Sequence, residues 1–161
     1  MQAIKEAELT DMIIKVEAIW KTLSIVTNPY KEGKDTILGN NDELITKIDD
    51  NLLTVNNILG SKYVGPIKPR VEVQSKMLRY LQDLIDEWYI HQKNWIYLEP
   101  ILKSPFAIKN LPRESAMFNQ IDSKWKSIMK QAKDSMNIKR YSDEYNSHYT
   151  LKILRNNNEI F

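Results

Sequence analysis

Between Arg70 and Glu99 the apolar residues Val71, Leu78, Leu81, Ile85, Trp88 and Trp95 recur in steps of three, four and seven, the spacing of one helix face. No Gly or Pro interrupts this stretch, so the spacing predicts a single helix about 45 Å long at the α-helical rise per residue. That is longer than a compact domain of this size needs. The helix is expected to span the molecule, with the rest of the chain packing on it, and Pro100 is expected to disrupt it near Glu99.

The flanking patterns are also helical. From Lys5 to Leu23, the residues Leu9, Met12, Ile13, Val16, Ile19, Trp20 and Leu23 form a wide stripe that the charged residues largely avoid. Two short β-prone runs follow, Ile25-Val26-Thr27 and Thr36-Ile37-Leu38-Gly39. The turn signal Asn28-Pro29 and a polar stretch from Lys31 to Asp35 lie between them, which predicts a hairpin packed on helices. Asn40-Asn41-Asp42-Glu43 offers capping side chains and early negative charge for a helix to about Ile58, carried by Leu44, Ile45, Ile48, Leu52 and Val55. Gly60-Ser61 should end that helix, and Gly65-Pro66 with Pro69 should make a rigid connection to the long one. Ser104-Pro105 predicts a short helix and Leu111-Pro112 the start of another, with Phe118, Ile121, Trp125, Ile128 and Met129 inward. Ser142-Asp143-Glu144 could cap a final helix holding Tyr145, Tyr149 and Leu154. The fold class expected is therefore all-α: an elongated helical bundle with one long helix and a short β-hairpin. The end at Asn156-Asn157-Asn158-Glu159-Ile160-Phe161 reads as cut rather than finished.

Composition narrows the function more than the fold. With 23 basic and 21 acidic residues the net charge is only +2, which gives no electrostatic case for nucleic acid or an anionic membrane. The chain has no cysteine, so it has no disulfide, thiolate zinc site or cysteine nucleophile. No apolar run reaches the length of a membrane span, and the first residues lack the apolar core of a signal peptide. The expectation is an intracellular soluble protein.

Candidate chemistry is sparse. Gly33-Lys34 lacks the upstream glycine of a phosphate-binding loop. Glu87 and His91 lie on adjacent turns of the long helix and could begin a metal site. Such a site needs more ligands, however, and His148 is the only other histidine, so a surface or boundary histidine is the plainer reading. Asp49-Asp50 point about 100° apart on a helix and share no site; solvent exposure or a structural hydrogen bond is expected. Trp88 and Trp95 lie seven residues apart on one face, broadened by Tyr89, Ile96 and Tyr97. Such a stripe is more often core than ligand platform. No catalytic, cofactor-binding or metal residue is assigned.

The ordered set Asp86-Glu87-Trp88, Gln92, Trp95-Ile96-Tyr97-Leu98-Glu99-Pro100-Ile101, then Leu111-Pro112-Arg113-Glu114, Phe118, Ile121-Asp122, Trp125 and Ile128-Met129, resembles the linker region of dynein heavy chains. Upstream, Trp20, Pro29-Tyr30-Lys31, Ile37-Leu38-Gly39, Asp42-Glu43, Ile48-Asp49-Asp50 and Gly60-Ser61-Lys62-Tyr63-Val64 match the same family in order; Leu151–Ile160 is similar to a later element. Three positions depart from the family pattern. Gln74 stands where many members have tryptophan, so the start of the long helix should pack differently. Leu102 replaces a phenylalanine, and Phe106 replaces an aspartate, which shifts the capping role to Ser104.

The resemblance implies that residues 1–161 are part of a linker within a larger motor chain. It would be a non-catalytic lever over a ring of AAA+ modules, which hold the ATPase chemistry and drive the power stroke. The partners implied are that ring, within the same heavy chain, and the rest of the dynein complex; microtubules would be reached only indirectly. The location implied is cytoplasmic and cytoskeletal, with the axoneme of a cilium or flagellum if the similarity to axonemal chains holds. Two other readings compete: a free-standing helical adaptor with the aromatic stripe as its partner groove, and a small metalloenzyme built on Glu87 and His91.

Overall fold

The computed structural model describes residues 2–135 and 157–158. Five helices and a two-stranded antiparallel hairpin are found among the described residues, as the all-α reading expects. They run α1 (Gln2–Ile19), β1 (Thr27–Tyr30), β2 (Asp35–Leu38), α2 (Asp42–Leu59), α3 (Lys68–Leu102), α4 (Pro105–Asn110) and α5 (Pro112–Ser135). A single 3-10 turn at Gly65–Ile67 joins α2 to α3. The final helix expected after Ser142 lies outside the described residues.

Helix α3 has 35 residues and therefore extends about 52 Å. It begins at Lys68, with Pro69 in its first turn, where a missing N–H costs nothing. It also runs through Pro100 to Leu102, so the disruption expected near Glu99 does not occur. Proline removes only its own N–H, and the ladder continues beyond it, with Lys103 N–H donating to the Glu99 carbonyl at 3.1 Å. Losing one bond within the last turn is a small perturbation; in mid-helix it would not be.

Helix α1 stops at Ile19, earlier than the periodicity predicts. The Thr22 hydroxyl donates to the Ile19 carbonyl at 2.8 Å and the Thr22 N–H donates to the same oxygen at 2.9 Å, which closes a tight turn there. Trp20, Leu23 and Ile25 still enter the core, but from this turn and the segment after it.

The hairpin is real but displaced. Strand β1 contains Asn28 and Pro29, which had the look of a turn, and the turn itself is Lys31 to Lys34. Lys31, Glu32 and Gly33 all have positive φ there, at 54°, 59° and 88°. A two-stranded sheet consists only of edges, so Pro29 can sit opposite Thr36 with its N-side unpaired. The side chain of Asn41 does not cap α2, as its position before the helix predicts. It is buried instead, accepting from Val26 N–H at 2.7 Å and donating to the Val26 carbonyl at 3.1 Å.

One continuous core joins these elements. α1 and α2 pack on the first half of α3 through Ile13, Val16, Leu44, Ile48 and Val55 against Val71, Leu78, Leu81 and Leu84. Gln74 is a polar intrusion into this part of the core, and it fits: its Oε1 accepts from the Trp20 indole at 2.7 Å. The smaller residue thus packs differently from tryptophan, as expected, but leaves a buried hydrogen bond rather than a gap. Ser104 takes the capping role, accepting from Ala107 N–H at 3.2 Å.

Candidate functional site: the clamped half of the long helix

From Trp88 onward α3 is gripped from two sides. One side holds the hairpin. Gln92 makes a two-bond amide clamp on Leu38: Leu38 N–H donates to Oε1 at 2.7 Å and Nε2 donates to the Leu38 carbonyl at 3.2 Å. Tyr89 donates its hydroxyl to the Gly39 carbonyl at 2.6 Å and accepts from the Asn41 amide at 3.0 Å. Glu99, buried, forms an ion pair with Lys31, and the Tyr30 ring lies 5.7 Å from Trp95. Tyr89, Gln92 and Glu99 are spaced by three and seven residues, so they share one strip of the helix. Gln92 in effect completes the open edge of β2, satisfying backbone groups that burial would otherwise penalise.

The other side holds α5. Trp88 and Trp95 are 1% and 0% exposed, so the stripe is core. The Trp95 indole donates to Asp122 Oδ1 at 2.7 Å; Lys103 reaches Asp122 Oδ2 at 2.7 Å and Lys126 lies 3.3 Å away. Trp88 directs its indole N–H at Met129 sulfur, 3.2 Å distant. Burial alone would raise the Asp122 carboxyl, but the hydrogen bonds from Lys103 and Trp95 and the charges of Lys103 and Lys126 hold it below its ordinary value. Tyr97 does not broaden the stripe: two residues beyond Trp95, it is turned to the opposite side and is 70% exposed.

His91 is a correction to the surface reading. It is fully buried, stacked on Trp125 with ring centroids 4.7 Å apart and planes 9° from parallel. Burial pushes its pKa down to about 4, so it is neutral at neutral pH. Its Nε2 meets the Asn157 amide nitrogen at 3.0 Å, and Asn158 donates to Glu87 Oε2 at 2.7 Å and to the Glu87 carbonyl at 3.1 Å. Thus Glu87 and His91 do share a neighbourhood, but two asparagine amides complete it. Among the described residues no three His, Asp or Glu side chains gather as a metal would require.

Asp49 and Asp50 are both exposed; Asp49 accepts from Gln82 at 2.9 Å. On α3, burial and then repulsion from Asp83, Asp49 and Glu87 raise the Asp86 carboxyl above its ordinary value. Gly33-Lys34 forms the hairpin turn. No helix among the described residues is long and apolar enough to cross a membrane.

These clamps explain the sequence anchors. Gln92, Trp95, Glu99 and Asp122 are the residues that fasten hairpin and α5 to the long helix. The chain belongs to the dynein heavy chain family: the description "Dynein heavy chain, N-terminal region 2" matches residues 1–161. It is 36% identical over 160 residues to dynein axonemal heavy chain 6 of Homo sapiens, covering 99% of this chain and 4% of that protein. It is 32% identical over 141 residues to dynein axonemal heavy chain 10 of Homo sapiens, with 86% and 3% covered, and 31% identical over 134 residues to dynein axonemal heavy chain 1, with 83% and 3%. The chain therefore spans only a few per cent of the length of these relatives.

Proposed function

We propose that residues 1–161 are part of the linker of an axonemal-type dynein heavy chain, a mechanical lever that transmits motion generated in the AAA+ ring of the same chain. In this reading the segment itself performs no ATP chemistry, and it reaches microtubules only through the rest of the motor, in the axoneme. The observation that carries the proposal is the 35-residue helix clamped along its second half by both hairpin and α5. Bending such a helix would strain many backbone hydrogen bonds and side-chain clamps at once, so a load applied at one end moves the whole body. Motion then belongs to contacts between this body and its surroundings, where two arrangements can exchange.

The adaptor reading loses its main support, because the aromatic stripe that would line a partner groove is buried. The metalloenzyme reading meets asparagine amides where it needs further ligands. The test is direct: the purified chain should show no magnesium-dependent ATP turnover, and insertion of the clamp-breaking Gln92→Leu change into a full heavy chain should reduce microtubule gliding velocity while basal ATPase persists. Turnover by the isolated chain, or unchanged gliding, would overturn the proposal.

A further inference from the structure

Asn157 and Asn158 meet one turn of the long helix from 66 and 71 residues away, and both meet it as donors. The Asn157 amide nitrogen lies 3.0 Å from His91 Nε2. The Asn158 amide nitrogen donates to the Glu87 carbonyl at 3.1 Å and to Glu87 Oε2 at 2.7 Å. An amide nitrogen only donates, so His91 Nε2 is the acceptor and the ring proton sits on Nδ1. The stack on Trp125, with planes 9° apart, fixes the plane of the ring and so the direction of that acceptor.

This contact is closed at a cost. Asn158 Oδ1 is buried without a hydrogen-bond partner among the described residues, although the nitrogen of the same amide serves two acceptors. An acceptor of this kind regains water when the contact opens, which favours the open arrangement. A proton on His91 would favour it further, because Nε2 would become a donor facing the Asn157 donor. Burial, not a neighbouring charge, keeps the ring neutral and brings its pKa down to about 4. The charged groups that flank the contact are Glu87, one turn away on α3, and the Asp122–Lys126 pair beside Trp125 on α5. Asn157 and Asn158 bring no charge.

We propose that Asn157 and Asn158 form a releasable latch on α3, closed while His91 is neutral and opened when His91 takes up a proton, with the long helix still in place. The latch decides whether the segment that carries these asparagines moves with the helix or apart from it. This goes beyond the lever reading and does not rest on it, because Glu87, His91, Trp125, Asn157 and Asn158 all lie within residues 1–161.

The experiment is hydrogen exchange of the Asn157 and Asn158 side-chain amides in the 161-residue chain labelled with nitrogen-15. The signals are assigned through Asn157→Ser and Asn158→Ser, and protection is expressed relative to a free asparagine at the same pH. At pH 7 the nitrogen shift of His91 Nε2 should be that of an unprotonated atom. Both amides should be protected, yet exchange through an opening of lower energy than that of the α3 amides from Trp88 to Glu99. From pH 7 to pH 4 the protection of Asn157 should fall about hundredfold, the factor that corresponds to lowering the His91 pKa from 6.5 to about 4. His91→Phe, without the acceptor, should leave Asn157 unprotected throughout. Glu87→Gln keeps an acceptor without the charge and should hold Asn158 within about threefold, whereas Asn158→Asp sets two carboxylates together and should lower the protection of Asn157 about tenfold. The proposal is overturned if Nε2 carries a proton at pH 7, if Asn157 keeps its protection down to pH 4, if it exchanges only together with the α3 amides, or if Asn158→Asp leaves its protection unchanged.

Discussion

The two halves of the long helix are held by different chemistry. The first half, through Ile85, meets α1 and α2 chiefly with aliphatic side chains, and its polar contacts include Gln74 with Trp20, Gln82 with Asp49, Arg79 with Asn56, and the Arg70–Glu17 ion pair at the surface. The second half, from Trp88, meets the hairpin and α5 with indoles, an imidazole, an amide and a carboxylate, each aimed at a particular atom. Aliphatic packing is non-directional and tolerates sliding and repacking at modest cost. A buried hydrogen bond has one geometry and is penalised when lost. The contrast teaches how a single rod can be cushioned at one end and fixed in register at the other, which is what the proposed lever would need.

The largest break in this contrast should come from Trp95→Ala. It opens a cavity and strips Asp122 of one donor, so a loss on the order of 3–5 kcal/mol is expected by urea unfolding. A loss under about 0.5 kcal/mol would mean that the indole is not core.

Acid should act next, and between pH 6.5 and 4 chiefly through His91 in the second half. His91 has a folded pKa of about 4 against an ordinary value of 6.5. As pH falls below 6.5, the unfolded chain takes up a proton that the folded one refuses, and stability should drop by on the order of 3 kcal/mol by the time pH reaches 4. His91→Phe, which keeps the stack on Trp125, should flatten that part of the profile. Asp122 loses its share only at still lower pH, because its folded pKa is held below the ordinary carboxylate range.

Gln92→Leu should cost about 1–3 kcal/mol despite being similar in bulk and more apolar, because both backbone groups of Leu38 lose their partner. By contrast Leu78→Met, at a fully buried site in the first half, should cost less than about 1.5 kcal/mol. If the conservative aliphatic swap proved costlier than the loss of the amide clamp, the division between the halves would fail.

Periodicity made the first half legible: apolar residues at helical spacing give both the element and the face it buries. The second half was legible only as helix and as family resemblance. Gln92, Glu99 and Asp122 read as polar residues on a mostly apolar face, and a sequence does not say which distant atom a polar side chain meets. Their partners lie 54, 68 and 27 residues away. The same limit explains His91, whose neighbours Trp125 and Asn157 come from other parts of the chain, and Asn41, whose capping role was plausible locally but whose side chain is taken by the backbone of Val26. Pro100 was misjudged for a simpler reason: its position in the final turn matters more than its identity.

The central claim is that hairpin and long helix form one body through Gln92. Native-state hydrogen exchange of the Leu38 amide, compared with amides of α3 from Trp88 to Glu99, tests it most directly. The account predicts that in the unmodified chain Leu38 exchanges only with the same opening free energy as that part of α3, and that in Gln92→Leu it exchanges through a separate, lower-energy opening while the α3 amides stay protected. Fast, independent exchange of Leu38 in the unmodified chain would contradict the claim.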